Sequence, residues 1–342
     1  MNILIVGFKY NHHGSFSGYD CIVPFLKLSE DLQIDYLNIY KFLIFQNSSN
    51  FLKNLLHRLN HRFLLLIYNI FINFLLIKNR YNIIHFIYPE DTMTKMNLTT
   101  TKKTKIISTL HQPVNWFLNL EKNRYLQLKK NSFFICLGSN QMKFINNFFK
   151  TENSSLIRHG INPKKFRLLN KKRSNNEILV VGGWLRDLDL LEQIVNYFDK
   201  THNYKFNLVL GRLNTDRFKK YNNVLIHINI SDNELNELYN NTSLVLFVLK
   251  DCVANNALLE SLVNGNCIIS SDVGGVKDYG RKNSIKLVNH DLKSFTSAIE
   301  ELMVDRTKRK YFSSNALKES KNLAWNKIST DTINLYKKLL KI

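Results

Sequence analysis

The chain is expected to fold as two α/β domains, each a parallel β-sheet covered on both faces by helices. Three observations point there. Short apolar runs at Ile3–Val6, 34–39, 82–87, 105–110, 133–137 and 155–158 alternate with helical segments. Positions 167–176, including Asn170-Lys171-Lys172-Arg173-Ser174-Asn175-Asn176, are polar and read as an exposed linker. The rhythm then restarts at Glu177-Ile-Leu-Val-Val-Gly-Gly and continues through strands at 206–210, 224–228, 244–249 and 267–270. With 342 residues the chain is long enough to fill two cores. The expected division is 1–162, a linker at 163–176, and 177–321.

Composition narrows the class. Hydrophobic residues make up 44% of the chain and aromatics 12%, which excludes a disordered protein. The formal net charge is +21 and is spread: Lys and Arg outnumber Asp and Glu by 19 to 8 over residues 1–160 and by 29 to 19 beyond. Such a balance favours anionic partners, unless it only reflects the general abundance of Lys, Asn and Ile. Four cysteines without a Cys-x-x-Cys pair fit a reducing cytoplasm. The chain opens on a strand with no basic n-region or cleavage site, so no signal peptide is read.

In the first half, Ile3–Val6 ends in Gly7 without a following Gly-x-Gly-x-x-Gly, which argues against a nicotinamide or flavin dinucleotide. A polar loop takes its place, with His12, His13, Ser17, Gly18, Tyr19 and Asp20, before a helix expected through about residue 32. Asp20 is either part of a functional loop or a helix cap. Residues 51–77 form the oddest segment. Its apolar run from Phe63 to Ile77 is too short to span a bilayer and is expected to be a core helix. Its basic first half, with Lys53, Arg58 and Arg62, suits a membrane surface. His111 follows Ile-Ile-Ser-Thr-Leu directly, at the C-terminal end of a strand, where ligands of parallel sheets sit.

In the second half, a strand, Gly182-Gly183 and then Arg186 at a helix start bring backbone N–H groups and a guanidinium to one anion. Asp187-Leu188-Asp189 is either a metal-binding pair or acid at a helix N-terminus. Gly211-Arg212 closes the next strand. Residues 250–280 read as loop, helix, buried strand and Gly-Gly turn. Asn255 and Asn256 open that helix, Glu260 lies one turn on, Gly265 stops it, and Gly274-Gly275 lets the backbone approach a ligand closely. Helices are read at 291–305, 307–319 and 322–341.

The stretch Ala254-Asn255-Asn256-Ala257-Leu258-Leu259-Glu260 resembles the nucleotide-sugar site of retaining glycosyltransferases of the GT-B fold, in particular glycosyltransferase family 4. The Gly182-Gly183…Arg186 segment and Arg158-His159-Gly160-Ile161-Asn162-Pro163…Phe166 are similar to the family's diphosphate site and inter-domain junction. The resemblance implies two Rossmann-like domains facing across a cleft, with the last helix, about 322–342, crossing back onto the first. It implies that Glu260 holds the donor ribose, that Arg186 and the glycines hold the diphosphate, and that Asn255 and Asn256 face the donor sugar. His111 would reach that sugar, Gly18 would face the diphosphate, and His12, His13, Ser17 and Tyr19 would lie on the acceptor side. Gly211 and Arg212 are added as donor-side candidates. The chain departs from the family in three places. Cys252 stands where the first glutamate belongs, Leu191 where a phosphate-site Lys belongs, and Arg158 where Pro is usual. Arg212 or Lys250 is the candidate replacement cation.

The implied activity is transfer of a sugar from a nucleotide-sugar donor to a hydroxyl of a glycan or lipid-linked acceptor, with retention of configuration. It needs neither metal nor cofactor, and suits a cytoplasmic enzyme of cell-surface polysaccharide synthesis, peripheral on an anionic membrane. Two alternatives stay open. A nucleotide-sugar 2-epimerase shares the fold, but the acidic and histidine groups it needs around the sugar are not evident. A basic nucleic-acid-binding protein would explain the charge, but no recognised motif appears, so nucleic acid is not an expected partner.

Overall fold

The computed structural model describes the chain except residues 9–17, 39–50, 166–172, 203, 212–214 and 342, and it leaves out the side chains of residues 51–62, 165 and 282. Two units result. The first runs to His159 and takes back Trp325 onward; the second spans Gly160–Ala324. Ile161 opens the second unit by pairing with Ala324 and donating its N–H to Leu323 O at 2.8 Å.

The first unit contains strands β1 (Asn2–Gly7), β2 (Gln33–Asn38), β3 (Ile83–Phe86), β4 (Lys105–Leu110), β5 (Phe133–Cys136) and β6 (Ser154–Leu156). Its helices are α1 (Val23–Leu26), α2 (Phe51–Ile77), α3 (Val114–Leu118), α4 (Lys122–Leu128) and α5 (Ser139–Phe149). The sheet order is β2-β1-β3-β4-β5-β6 and every pairing is parallel. The strands are apolar on both faces because helices cover both, as a parallel sheet requires.

The second unit has β7 (Glu177–Val181), β8 (Lys205–Val209), β9 (Val224–Ile226), β10 (Leu244–Phe247), β11 (Cys267–Ser271) and β12 (Lys286–Val288). Helices α6 (Leu188–Thr201), α7 (Asp232–Asn241), α8 (Asn256–Val263), α9 (Val276–Tyr279), α10 (Leu292–Val304) and α11 (Arg306–Asn322) flank it. The order β12-β11-β10-β7-β8-β9 is again wholly parallel. Strand order reverses at β1/β3 in the first sheet and at β7/β10 in the second. Each reversal opens a crevice beyond the C-terminal strand ends, where ligands of such sheets bind.

The last helix, α12 (Trp325–Leu340), packs in the first unit. Its Tyr336 hydroxyl meets His85 Nδ1 at 2.6 Å, and His85 Nε2 meets Thr109 Oγ1 at 2.7 Å. Burial draws the His85 pKa down to about 3, so the ring stays neutral.

Two expected elements differ. The helix after the first loop was read through residue 32. It ends at Leu26, because Leu28 and Ser29 donate their N–H groups to Phe25 O and Leu26 O in tight turns. Helix α2 is not a core helix from Phe63 on. Leu65, Ile72, Leu75 and Leu76 are buried against Leu4, Val6, Ile84 and Phe86, but Phe63, Leu66, Ile70, Phe74 and Ile77 face outward. Among the described residues no helix is long and apolar enough to cross a membrane.

Candidate functional site

In the first unit the strand-end segments after β3 and β4 are locked together. The buried carboxylate of Glu90 accepts the backbone N–H groups of His111 (2.6 Å) and Gln112 (3.0 Å) on one oxygen. From the other side Gln141 on α5 donates its amide to Leu110 O (3.1 Å) and Gln112 O (2.9 Å), while its carbonyl accepts Leu137 N–H at 2.9 Å. The segment around His111 is thus held through its main chain, by Glu90 just after β3 and by Gln141 on α5. Its Nε2 lies 2.8 Å from Ile87 O; a carbonyl can only accept, so this nitrogen carries the proton. The half-buried ring packs on Tyr88 at 4.6 Å and edge-on to Tyr19 at 5.1 Å.

Tyr19, expected on the acceptor side, is fully buried: its ring also packs on His159 and Trp325, and its N–H donates to Tyr88 Oη at 2.7 Å. It therefore builds the floor beside His111. Gly18 precedes the Tyr19 turn in extended backbone, φ −79°, and accepts Cys21 N–H through its carbonyl. His12, His13, Ser17 and Arg212 lie outside the described residues.

Burial raises the Glu90 pKa from 4.5 to about 7, against the opposing pull of its backbone N–H donors. The folded state therefore holds a proton more tightly than the unfolded chain between those values. This contribution is complete below pH 4.5 and is lost as pH rises to about 7, a change of about 3 kcal/mol. His85 works in the opposite sense: it costs stability as pH falls from 6.5 towards 3. Glu90→Gln keeps an acceptor for both N–H groups but cannot titrate. Relative to the parent, the stability of this variant in urea unfolding should rise by about 3 kcal/mol between pH 4.5 and 7, because only the Glu90 contribution differs between them. Parallel pH profiles would show that Glu90 does not titrate there.

In the second unit the segment after β7 meets the end of β10. Gly182 sits at φ +83° and Leu185 at φ +58°, so the loop curls tightly enough to add beside β10. There Asp187 N–H donates to Val248 O and Lys250 N–H to Leu185 O, each at 2.9 Å. The Arg186 guanidinium is buried, donates to Val181 O (2.6 Å) and Trp184 O (3.3 Å), and lies 5.1 Å over the Phe247 ring. Burial lowers its pKa to about 10, so it stays a cation at neutral pH. Its Nε meets no acceptor among the described residues.

Asp187 caps α6 through Leu190 N–H and also accepts from His290 Nε2 at 3.0 Å, while Asp189 pairs with Arg217. The two acids therefore serve a helix start and an ion pair. His290 Nδ1 in turn lies 3.0 Å from Ser271 Oγ, which accepts Leu249 N–H at 2.9 Å. This chain ties the ends of β10, β11 and β12 to the Arg186 loop. Lys250 is largely exposed, 4.0 Å from Asp187, and Gly211, at φ +84°, has open space where a side chain would stand.

The Asn255 side chain caps α8 by accepting Leu258 N–H at 3.2 Å, leaving Asn256 in the first turn. Glu260 is buried and accepts the Tyr239 hydroxyl at 3.0 Å, and that hydroxyl also lies 3.3 Å from Ala257 O. Gly274 does permit a close approach, but to the chain itself: a Cβ there would stand 2.1 Å from Cys252 O, with φ at +55°. Gly275 N–H donates to that same carbonyl at 2.7 Å. Cys252 is buried, with its thiol pushed up to about 12, and its N–H donates to Asp251 Oδ1 at 2.7 Å. A thiol so held cannot stand in for a carboxylate.

The structure thus brings Gly182, Gly183, Arg186, Lys250, Asn255, Asn256 and Glu260 to the β7/β10 crevice or the helix beside it, and His111 to its own strand end. Glu90, Gln141, Tyr239 and His290 are residues the sequence reading missed. Of these only Glu90 left a trace, as a polar Pro-Glu-Asp step straight after an apolar strand.

Two six-stranded parallel sheets of this order with flanking helices make the GT-B fold. Sucrose-phosphate synthase from Thermosynechococcus elongatus superposes with a TM-score of 0.74 at 16% identity, over 100% of this chain and 99% of that one. HepE from Anabaena, solved with UDP and glucose, gives 0.70 at 12% identity over 99% and 100%. A glycosyltransferase from Rickettsia africae gives 0.67 at 13% identity over 99% and 98%. At such identities the likeness establishes the fold. Residues 163–319, inside the second unit, match the family model for glycosyl transferases group 1. No curated protein sequence matches the chain.

Proposed function

We propose that the protein transfers a sugar from a nucleotide-sugar donor to a hydroxyl of a glycan or lipid-linked acceptor, retaining anomeric configuration, in cytoplasmic synthesis of a cell-surface polysaccharide. One observation carries this reading: a buried guanidinium that donates to main-chain carbonyls rather than to a carboxylate, at the switch point of the sheet whose segment matches the group 1 family. A buried cation held in this way calls for an anion, and a diphosphate supplies one. As the donor's glycosidic bond breaks, charge accumulates on that diphosphate. A preorganised cation and backbone N–H groups lower the barrier without a metal. Lys250 is the exposed candidate for the second phosphate cation. Glu260, oriented by Tyr239, holds the ribose, and His111 acts on the transferred sugar.

Nucleotide sugars added one at a time in a thermal-shift panel test the reading, and stabilisation by none of them would refute it. Glu260→Gln should weaken the donor that does bind by about 1.5–3 kcal/mol with little change in fold, because an amide can still meet Tyr239. Tyr239→Phe should cost less, since it frees the carboxylate without removing it. Donor affinity unchanged in the Glu260 variant would remove that residue from the site.

A further inference from the structure

Helix α2 is apolar on two faces: one, with Leu65, Ile72, Leu75 and Leu76, is buried, and the other faces out. Phe63, Leu66, Ile70, Phe74 and Ile77 recur every three or four residues and are each more than half exposed, with Ile67 and Phe71 beside them. At 1.5 Å per residue this apolar stripe is about 20 Å long. The polar residues of the same stretch are spent internally. Asn73 donates to Asn97 O at 3.0 Å and accepts Thr99 N–H at 2.7 Å, while Asn69 accepts Asn97 N–H at 3.0 Å. The sequence has thus placed hydrogen-bonding side chains against a neighbouring loop and left large apolar ones facing out. Contiguous exposure of that kind marks an interaction surface.

Charge identifies the partner. From Tyr36 to Pro89 the sequence holds no Asp or Glu, while Lys41, Lys53, Arg58, Arg62, Lys78 and Arg80 fall within it. Lys78 and Arg80 are exposed just past the stripe, and Lys53, Arg58 and Arg62 precede it on the same helix. Apolar residues bracketed by cations are what an interfacial helix needs, with the former entering the acyl boundary and the latter meeting headgroup phosphates. A second copy of this chain would set the same unbalanced cations against themselves, and no described helix can span.

We propose that the outward face of α2, from Phe63 to Ile77, docks the protein on an anionic phospholipid bilayer, with the helix lying in the interface. This surface differs from the one expected from sequence, which placed the contact in the basic first half and buried the second. The proposal does not depend on the transfer chemistry.

The test is flotation with vesicles of phosphatidylcholine and phosphatidylglycerol in roughly equal parts, beside pure phosphatidylcholine vesicles, at low salt. The full chain should float with the anionic vesicles only. Ile70→Glu combined with Phe74→Glu should lower the bound fraction about tenfold with an unchanged melting temperature, since both side chains are exposed. Lys78→Gln with Arg80→Gln should weaken binding less; it serves as the readout should the first variant unfold. Three results would overturn the proposal: no flotation of the parent, flotation undiminished in both variants, or a dimer in sedimentation that Ile70→Glu/Phe74→Glu dissolves while vesicle binding is absent.

Discussion

Arg186→Ala is expected to cost the protein its nucleoside diphosphate affinity, by about tenfold to a hundredfold, and its turnover with it. The structure explains why both fall together. The guanidinium shapes the loop it sits in, through Val181 O and Trp184 O, and under the proposed function it also holds the donor's diphosphate. Removing it deletes the cation and leaves two carbonyls short of a donor. Some loss of stability should accompany the loss of binding, so a second substitution separates them. Arg186→Lys keeps the charge but cannot serve two carbonyls and a phosphate at once, because it lacks the planar fork. It should melt near the parent's temperature yet bind nucleoside diphosphate weakly. If the Lys variant bound like the parent, Arg186 would be a structural cation only.

His111→Ala should behave differently: turnover down by about a hundredfold or more, with nucleoside diphosphate affinity unchanged. The clamp on this segment uses main-chain groups, since Glu90 accepts N–H groups and Gln141 donates to carbonyls. An alanine therefore leaves the backbone where it is, and the loss reports the ring alone. The bond from Nε2 to Ile87 O fixes which nitrogen carries the proton, so the ring is oriented before any substrate arrives. Full activity in this variant, or a loss of nucleoside diphosphate binding equal to that of Arg186→Ala, would take His111 out of its assigned place.

The strands were legible because each is a short apolar run bounded by polar residues, and burial on both faces of a parallel sheet demands that pattern. β12, Lys286–Val288, was not read; it is three residues long, with only Val288 buried. The outward face of α2 was illegible for another reason. Composition shows that a helix is apolar, but which side meets a core depends on partners such as Leu4 and Phe86, distant in sequence. The site shows the same division. Arg186, Asn255 and Glu260 stand within motifs whose spacing is local, so they could be nominated from sequence. Glu90, Gln141, Tyr239 and His290 act on groups 21, 29, 21 and 103 residues away, and no window of sequence contains both ends of those bonds. Gly274 was read as a place where the backbone approaches a ligand, but the fold shows that the approaching group is the chain's own Cys252 O.

Calorimetric titration with UDP, GDP, ADP and CDP in the presence of a chelator tests the central claim most directly, repeated on Arg186→Ala. A nucleotide-sugar site at the β7/β10 crevice requires that one of these nucleotides bind the parent without metal, and that the variant bind it at least about tenfold more weakly. Binding of none of them, or equal affinity in parent and variant, would contradict the account.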